Sequence, residues 1–292
     1  MKKIYGLLIL SAVLYGSIST VAKPFLSNIN PILLSSIIYL IIGISITIVS
    51  SITKNTSKFS WNSFKLIFLT AFFGAVVAPI LYFSGLKLTD ASLVSILINA
   101  EFLFTILFAI TLLKENPGRY GYFGILCIFA GLIVLNLKQD NLSANFFQNN
   151  DLIGSLLILG SAIFWALDNN ISKVILQKEV PIVRLIQLKS LIGGITSFVI
   201  VIILNISFTI NISNIPSLLF LSLGGFAGSL FLFLKGIKEV GATKSVMIFS
   251  TSTLFGIIFA IIFLNEQIEI YRFVFSVMLM ITGIMLITKD NV

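Results

Sequence analysis

From Ser190 to Leu234 the chain runs 45 residues without one Asp, Glu, Lys or Arg. A helix rises ~1.5 Å per residue, so ~20 such residues cross the ~30 Å hydrocarbon core of a bilayer. Runs of this kind recur from end to end, and they constrain the fold more than any other feature. Ile4–Ala22 is charge-free for 19 residues and Pro24–Thr53 for 30. Only 10% of the 292 residues are charged, against ~25% in a soluble protein. A soluble domain of this composition would expose apolar patches far above ~400 Å². The sequence predicts an all-α membrane protein, because an open strand in lipid leaves its backbone unpaired.

Ten membrane-spanning helices fit the pattern: Ile4–Ala22, a second from near Pro31, Leu66–Leu86, Ala91–Leu113, Tyr120–Leu137, Leu152–Ser172, Ile182–Leu204, Ser217–Leu234, Ser245–Asn265 and Tyr271–Thr288. The first begins like a signal peptide but is read as a span that stays, since no cleavage site precedes a soluble chain. Ten spans put both termini on one side. With that side cytoplasmic, 14 of the 19 basic residues lie inside or at its boundary, as the positive-inside rule expects. The protein is therefore expected in the cell membrane (plasma or inner), multi-pass, with both termini in the cytoplasm. In so apolar a chain, the net charge of +8 marks inner loops and not a nucleic-acid partner.

The chemistry is narrowed by what is missing. The chain has no His and one Cys, Cys127. Ser-His and Cys-His catalysis, His-containing zinc sites and disulfides within the chain drop out. No Walker A motif and no Gly-x-Gly-Asp motif occurs, so neither ATP hydrolysis nor intramembrane aspartyl proteolysis is expected. No cofactor, no metal and no enzyme activity is predicted.

The two halves resemble each other. A shift of 150 places Ser11 on Ser161, Tyr15 on Trp165, Lys23 on Lys173, Pro31 on Pro181 and Gly43 on Gly193. A shift of 151 places Gly74 on Gly225, Lys87 on Lys238, Ala91 on Ala242, Glu115 on Glu266 and Tyr120 on Tyr271. Residues 1–140 form the first five-helix repeat, 141–150 an outer linker, and 151–292 the second repeat. Five spans per copy invert the second, a recurrent design of secondary transporters.

The chain resembles the drug/metabolite transporters of the EamA type. The likeness rests on Leu14-Tyr15-Gly16-Ser17 through Lys23, on the stretch from Tyr82 to Ser92, on Ile98–Thr105, on Leu113-Lys114-Glu115 and Leu264-Asn265-Glu266, and on Gly131–Val134 and Gly283–Leu286. The resemblance implies ten spans in two five-span repeats and small-molecule transport, without naming a substrate.

Three charges fall inside predicted spans: Glu101, Asp168 and Lys189. Such residues usually face a cavity or a partner. Asp168 and Lys189 are equidistant from the loop joining spans six and seven, so they are expected at one depth as an ion pair. Ser161, Trp165, Asp168, Asn169 and Ser172 share one helix stripe, matched in span one by Ser11, Tyr15 and Ser19. Tyr39 is the repeat counterpart of Lys189. Glu101 lies ~15 Å deep by helical rise, with Thr105 one turn on, and its counterpart is the uncharged Ser252. It is the candidate for proton coupling. Glu115, Glu266 and Glu269 are expected to anchor loops, and Gly74, Pro79, Gly224, Gly225 and Gly228 to allow close packing or bending.

The expected function is secondary transport of small polar or amphipathic metabolites such as amino acids. Glu101, Asp168, Lys189, Trp165, Asn169, Tyr15 and Tyr39 are the candidate substrate and transport residues. A small-molecule substrate and membrane lipids are the expected partners, with a second copy of the chain as a further candidate. A lipid or phosphorylated-metabolite translocator using Lys189 and Arg184 is the alternative. A receptor or scaffold that binds without flux is the alternative from another class.

Overall fold

Among the described residues, the long charge-free runs fold as helices joined by short turns. The computed structural model describes residues 2–52, 61–114, 118–136, 150–208, 210, 214–266 and 270–289. Helix α1 (Lys2–Ala22) passes through a short 3₁₀ turn, Lys23–Ser27, into α2 (Pro31–Ile52). Helices α3 (Trp61–Ala71) and α4 (Ala78–Leu88) are joined without a loop by a π-helical segment, Phe72–Val77. Then come α5 (Ala91–Leu97), α6 (Ala100–Leu113) and α7 (Gly118–Asn136). The second half repeats the order: α8 (Asn150–Gln177), α9 (Ile182–Ile203), α10 (Ile215–Leu219), a π segment Phe220–Gly228, α11 (Ser229–Val240), α12 (Ala242–Phe249), α13 (Ser252–Leu264) and α14 (Ile270–Lys289).

Among the described residues, eight stretches are long and apolar enough to cross a membrane, from Lys3–Ser27 to Ala242–Leu264. The fifth and tenth predicted spans are also helical, as α7 and α14, and they pack against each other. The linker over 141–150 and the residues Glu115 and Glu269 lie outside the described residues, apart from Asn150 at the start of α8.

The helices pack in matching pairs. α2 lies against α9; α4 and α6 lie on α8, while α11 and α13 lie on α1. Close approach depends on missing side chains. A Cβ on Gly193 would sit 2.4 Å from that of Ala75, and one on Gly16 2.6 Å from the Ser252 carbonyl oxygen. Small residues at such contacts let helix backbones touch, which is how helices associate when lipid supplies no hydrophobic drive. The outer surface keeps its large apolar side chains, including Leu112, Leu126, Phe263 and Met278, as a lipid-facing surface requires.

Two spans expected as continuous helices are broken. α5 ends at Leu97 and α6 restarts at Ala100; α12 ends at Phe249 and α13 restarts at Ser252. Across the first break the amides reach back three residues, with Asn99 N to Ile96 O at 3.2 Å and Phe102 N to Asn99 O at 3.0 Å. The second is alike, with Thr251 N to Ile248 O at 3.2 Å and Leu254 N to Thr251 O at 3.0 Å. Side chains compete for the same carbonyls: Asn99 Nδ2 donates to Ile96 O at 3.5 Å, and Thr251 Oγ1 to Ile248 O at 2.7 Å. Short polar side chains disturb helices in this way. The bending expected near Gly74 and Pro79 takes the form of the first π segment, where the Ala78 amide reaches Phe73 O, five residues back. Pro79 has no amide to donate, so the ordinary ladder cannot continue through it.

Candidate functional site

Successive residues on a helix point ~100° apart, and α8 uses this to reach two neighbours from one turn. Asp168 meets Lys189 of α9 in a buried ion pair, as the sequence geometry predicted. Ser172 Oγ donates to the free carboxylate oxygen of Asp168 at 3.3 Å. Asn169 Nδ2 donates to Glu101 Oε1 at 2.7 Å. Asn170 Nδ2 donates to the Thr105 carbonyl at 3.1 Å and to Ala166 O at 2.9 Å. Asp168, Asn169, Asn170 and Lys189 are all buried.

Glu101 sits in the first turn of α6, where the helix dipole favours an anion. Its second oxygen, Oε2, accepts the Tyr15 hydroxyl of α1 at 3.4 Å. Among the described residues it has no Lys or Arg at ion-pair distance. Glu101 and the Asp168–Lys189 pair are therefore different environments. The pair is neutral overall, whereas the Glu101 carboxylate is matched by neutral donors alone.

A ring cluster joins these groups. Tyr15 packs edge-on against Trp165 with centroids 6.0 Å apart, and against Phe249 at 4.7 Å; Tyr82 lies 5.2 Å from Trp165. Tyr39 OH and Trp165 Nε1 both donate to the Gly74 carbonyl, at 2.9 and 3.1 Å. That carbonyl lies in the first π segment. Gly74 also makes space: a Cβ there would stand 2.2 Å from Asp168 Oδ2.

The structure thus brings all seven predicted site residues into one polar and aromatic interior. Tyr15 and Trp165, on the two repeat-related stripes, touch each other. The stripe on α8 mostly ends on neighbouring helices. Ser161 donates to Ala78 O at 2.8 Å, and Trp165 donates to Gly74. The reason is that α4, α6 and the first π segment lie directly on α8.

Sequence reasoning did not single out Asn99, Asn170, Phe249 or Ser250. The polar run Ser250–Thr253 inside an apolar span was the available signal. Glu266, expected to anchor a loop, takes the amides of Ala91 and Ser92 on its two carboxylate oxygens at 3.0 and 2.9 Å. Lys23 holds the preceding turn from the other side, donating to Leu86 O at 2.8 Å and to Thr89 O.

A small cavity, about 10 Å³, touches the interior site. It lies between the two helix breaks, with Tyr15, Asn99, Glu101, Phe249, Ser250 and Ser252 in its wall. It is large enough for a single water. A wider cleft of about 390 Å³ opens elsewhere, between Asn28, Asn30, Lys87 and Asn205, and none of the seven predicted site residues lines it.

Comparison with known proteins bears on this arrangement. The family model of EamA-like transporters matches residues 2–137 and again 152–289. An uncharacterized transporter of Methanothermobacter thermautotrophicus is 28% identical over 303 residues, covering 99% of this chain and 85% of that protein. An uncharacterized transporter of Clostridium kluyveri is 24% identical over 300 residues, covering 100% and 94%. A solved crystal structure with 17% identity superposes with a TM-score of 0.77 over 98% of this chain and 96% of its own. The fold is shared with that structure.

Proposed function

This chain belongs to the EamA-like transporter family, and on that premise we propose that it is a secondary transporter of small polar or amphipathic metabolites, amino acids among them. It is a multi-pass membrane protein. In this reading it exports or exchanges its substrate by alternating access between two inverted halves of five spans each. Several features support that architecture. The family model matches twice, helix contacts recur in repeat-related pairs, and breaks and π segments fall at corresponding places in both halves. The 14 basic residues assigned to one side support cytoplasmic termini in a cell membrane.

The observation that carries the function is Glu101, a buried carboxylate held by Asn169 and Tyr15 where two broken spans converge. Broken spans with ionisable groups at mid-depth are where secondary transporters bind substrate and coupling ion. Asp168 and Lys189 add one charge of each sign, which suits a zwitterion that opens the pair on binding.

The test is a flux screen in proteoliposomes, with and without a pH gradient, beside Glu101→Gln. Substrate-dependent flux is expected in the wild type, accelerated by the gradient. Proton-driven flux unchanged in Glu101→Gln ends the coupling role. Ligand binding with no flux for any substrate favours a receptor instead. The translocator of lipids or phosphorylated metabolites has less support, because an anion that drew Lys189 away would leave the buried Asp168 carboxylate without its cation, and Arg184 Nη1 donates to Gln187 at 2.8 Å.

A further inference from the structure

Of the three buried charges among the described residues, two cancel. Lys189 answers Asp168, and the contacts of Glu101 are two donors that carry no charge. Asn169 Nδ2 lies on one carboxylate oxygen and the Tyr15 hydroxyl on the other. A bare carboxylate at this depth is costly unless a positive charge joins it.

The space beside Glu101 is built for one. Its wall brings Asn99, Ser250 and Ser252 to the carboxylate from two broken spans. Asn99 spends its Nδ2 on the Ser95 and Ile96 carbonyls, which keeps its Oδ1 for a cation. Ser250 donates its proton to Met247 O, so its hydroxyl oxygen also faces any new partner as an acceptor. The Tyr15 and Phe249 rings, 4.7 Å apart, complete the wall. Among the described residues, no Lys or Arg lines the cavity. Its ~10 Å³ admits one water-sized group.

We propose that this cavity is a binding site for a single small monovalent cation, held by the Glu101 carboxylate with oxygens of Asn99, Ser250 and Ser252. The cation is either a sodium ion or the primary ammonium head of the transported molecule, which share charge and approximate size. The inference rests on the transport reading only for what the cation is used for; its binding is read on purified protein without flux.

Trp61→Phe leaves Trp165 as the sole tryptophan, 6.0 Å from Tyr15. In that background the detergent-purified protein is titrated with sodium chloride, methylammonium chloride and choline chloride at constant ionic strength. Trp165 fluorescence and thermal unfolding are followed together. Sodium or methylammonium is expected to give a saturable change that choline, too large for the cavity, does not. Glu101→Gln should weaken the effect at least tenfold and Ser252→Ala severalfold, while Glu239→Gln, an exposed carboxylate, leaves it unchanged. If Glu101→Gln does not fold, Glu101→Asp and Ser252→Ala carry the test, with altered sodium-to-methylammonium preference expected in the former. A response to sodium alone assigns a coupling ion, and a response to methylammonium alone assigns the substrate head; either supports the site. No response to either salt, equal responses to all three, or an effect indifferent to Glu101 and Ser252 overturns it. Saturable binding without flux of any substrate leaves this site standing and sinks the transport reading; flux without a cation effect does the reverse.

Discussion

Asn169 holds Glu101 through one hydrogen bond of 2.7 Å between Nδ2 and Oε1, and so ties the middle of α8 to the first turn of α6. The other donor to Glu101, the Tyr15 hydroxyl, is at 3.4 Å, so Asn169 supplies the stronger contact. A hydrogen bond to a charged group contributes ~1.5–3 kcal/mol. Asn169→Leu should destabilise the protein by about that amount and lower transport at least tenfold, read as unfolding temperature and initial flux in the same preparation. A wild-type rate would show that Glu101 is positioned by other means.

Breaking the Asp168–Lys189 pair from one side strands a buried charge, at ~3–5 kcal/mol. Lys189→Met and Asp168→Asn alone should each cut the yield of folded protein sharply. The double variant should recover most of it, because neutral groups replace both charges. If the double variant folds no better than Lys189→Met, the two residues do not act as a pair. The exchanged pair, Asp168→Lys with Lys189→Asp, separates stability from transport: recovery of folding without flux would mean that the order of the charges matters.

Gly74 and Gly225 correspond in the repeat but not in surroundings. A Cβ at Gly74 would meet Asp168 Oδ2 at 2.2 Å, whereas one at Gly225 would meet Ile18 Cγ1 at 3.1 Å. Gly74→Ala should therefore displace the carboxylate and cost ~1–3 kcal/mol as overpacking does, with loss of transport. Gly225→Ala should be milder on both counts. Equal effects on unfolding temperature and flux would sink the distinction.

Glu266 satisfies two of the amides that a helix N-terminus leaves open. Glu266→Ala should speed hydrogen exchange at Ala91 and Ser92 at least tenfold, while amides in the middle of α9 stay protected. Exchange unchanged at Ala91 and Ser92 would mean that the carboxylate does not hold α5 in solution.

The sequence made the spans legible because charge is excluded from lipid at a cost of several kcal/mol, which leaves a visible record of gaps between charges. The Asp168–Lys189 pair was legible for a geometric reason: two residues equidistant from a tight turn meet at one depth. The broken spans were not. Asn99 and the run Ser250–Thr253 read equally well as packing contacts. Whether a backbone carbonyl keeps its amide partner depends on which side chains reach it. The π segment at Gly74 was hidden for a similar reason: its carbonyl is claimed by Tyr39 and Trp165, which lie 35 and 91 positions away. The Glu266 contact joins residues 174 and 175 positions apart, beyond the reach of local pattern.

The consecutive placement of Asp168, Asn169 and Asn170 restricts how α8 moves. Three adjacent side chains sweep ~200° of the helix circumference, and they are gripped by α9 on one side and α6 on the other. A turn of α8 about its own axis would tear out all three contacts together, like a shaft turned against its key. A movement of α8 that keeps these contacts would carry Glu101 and Lys189 with it.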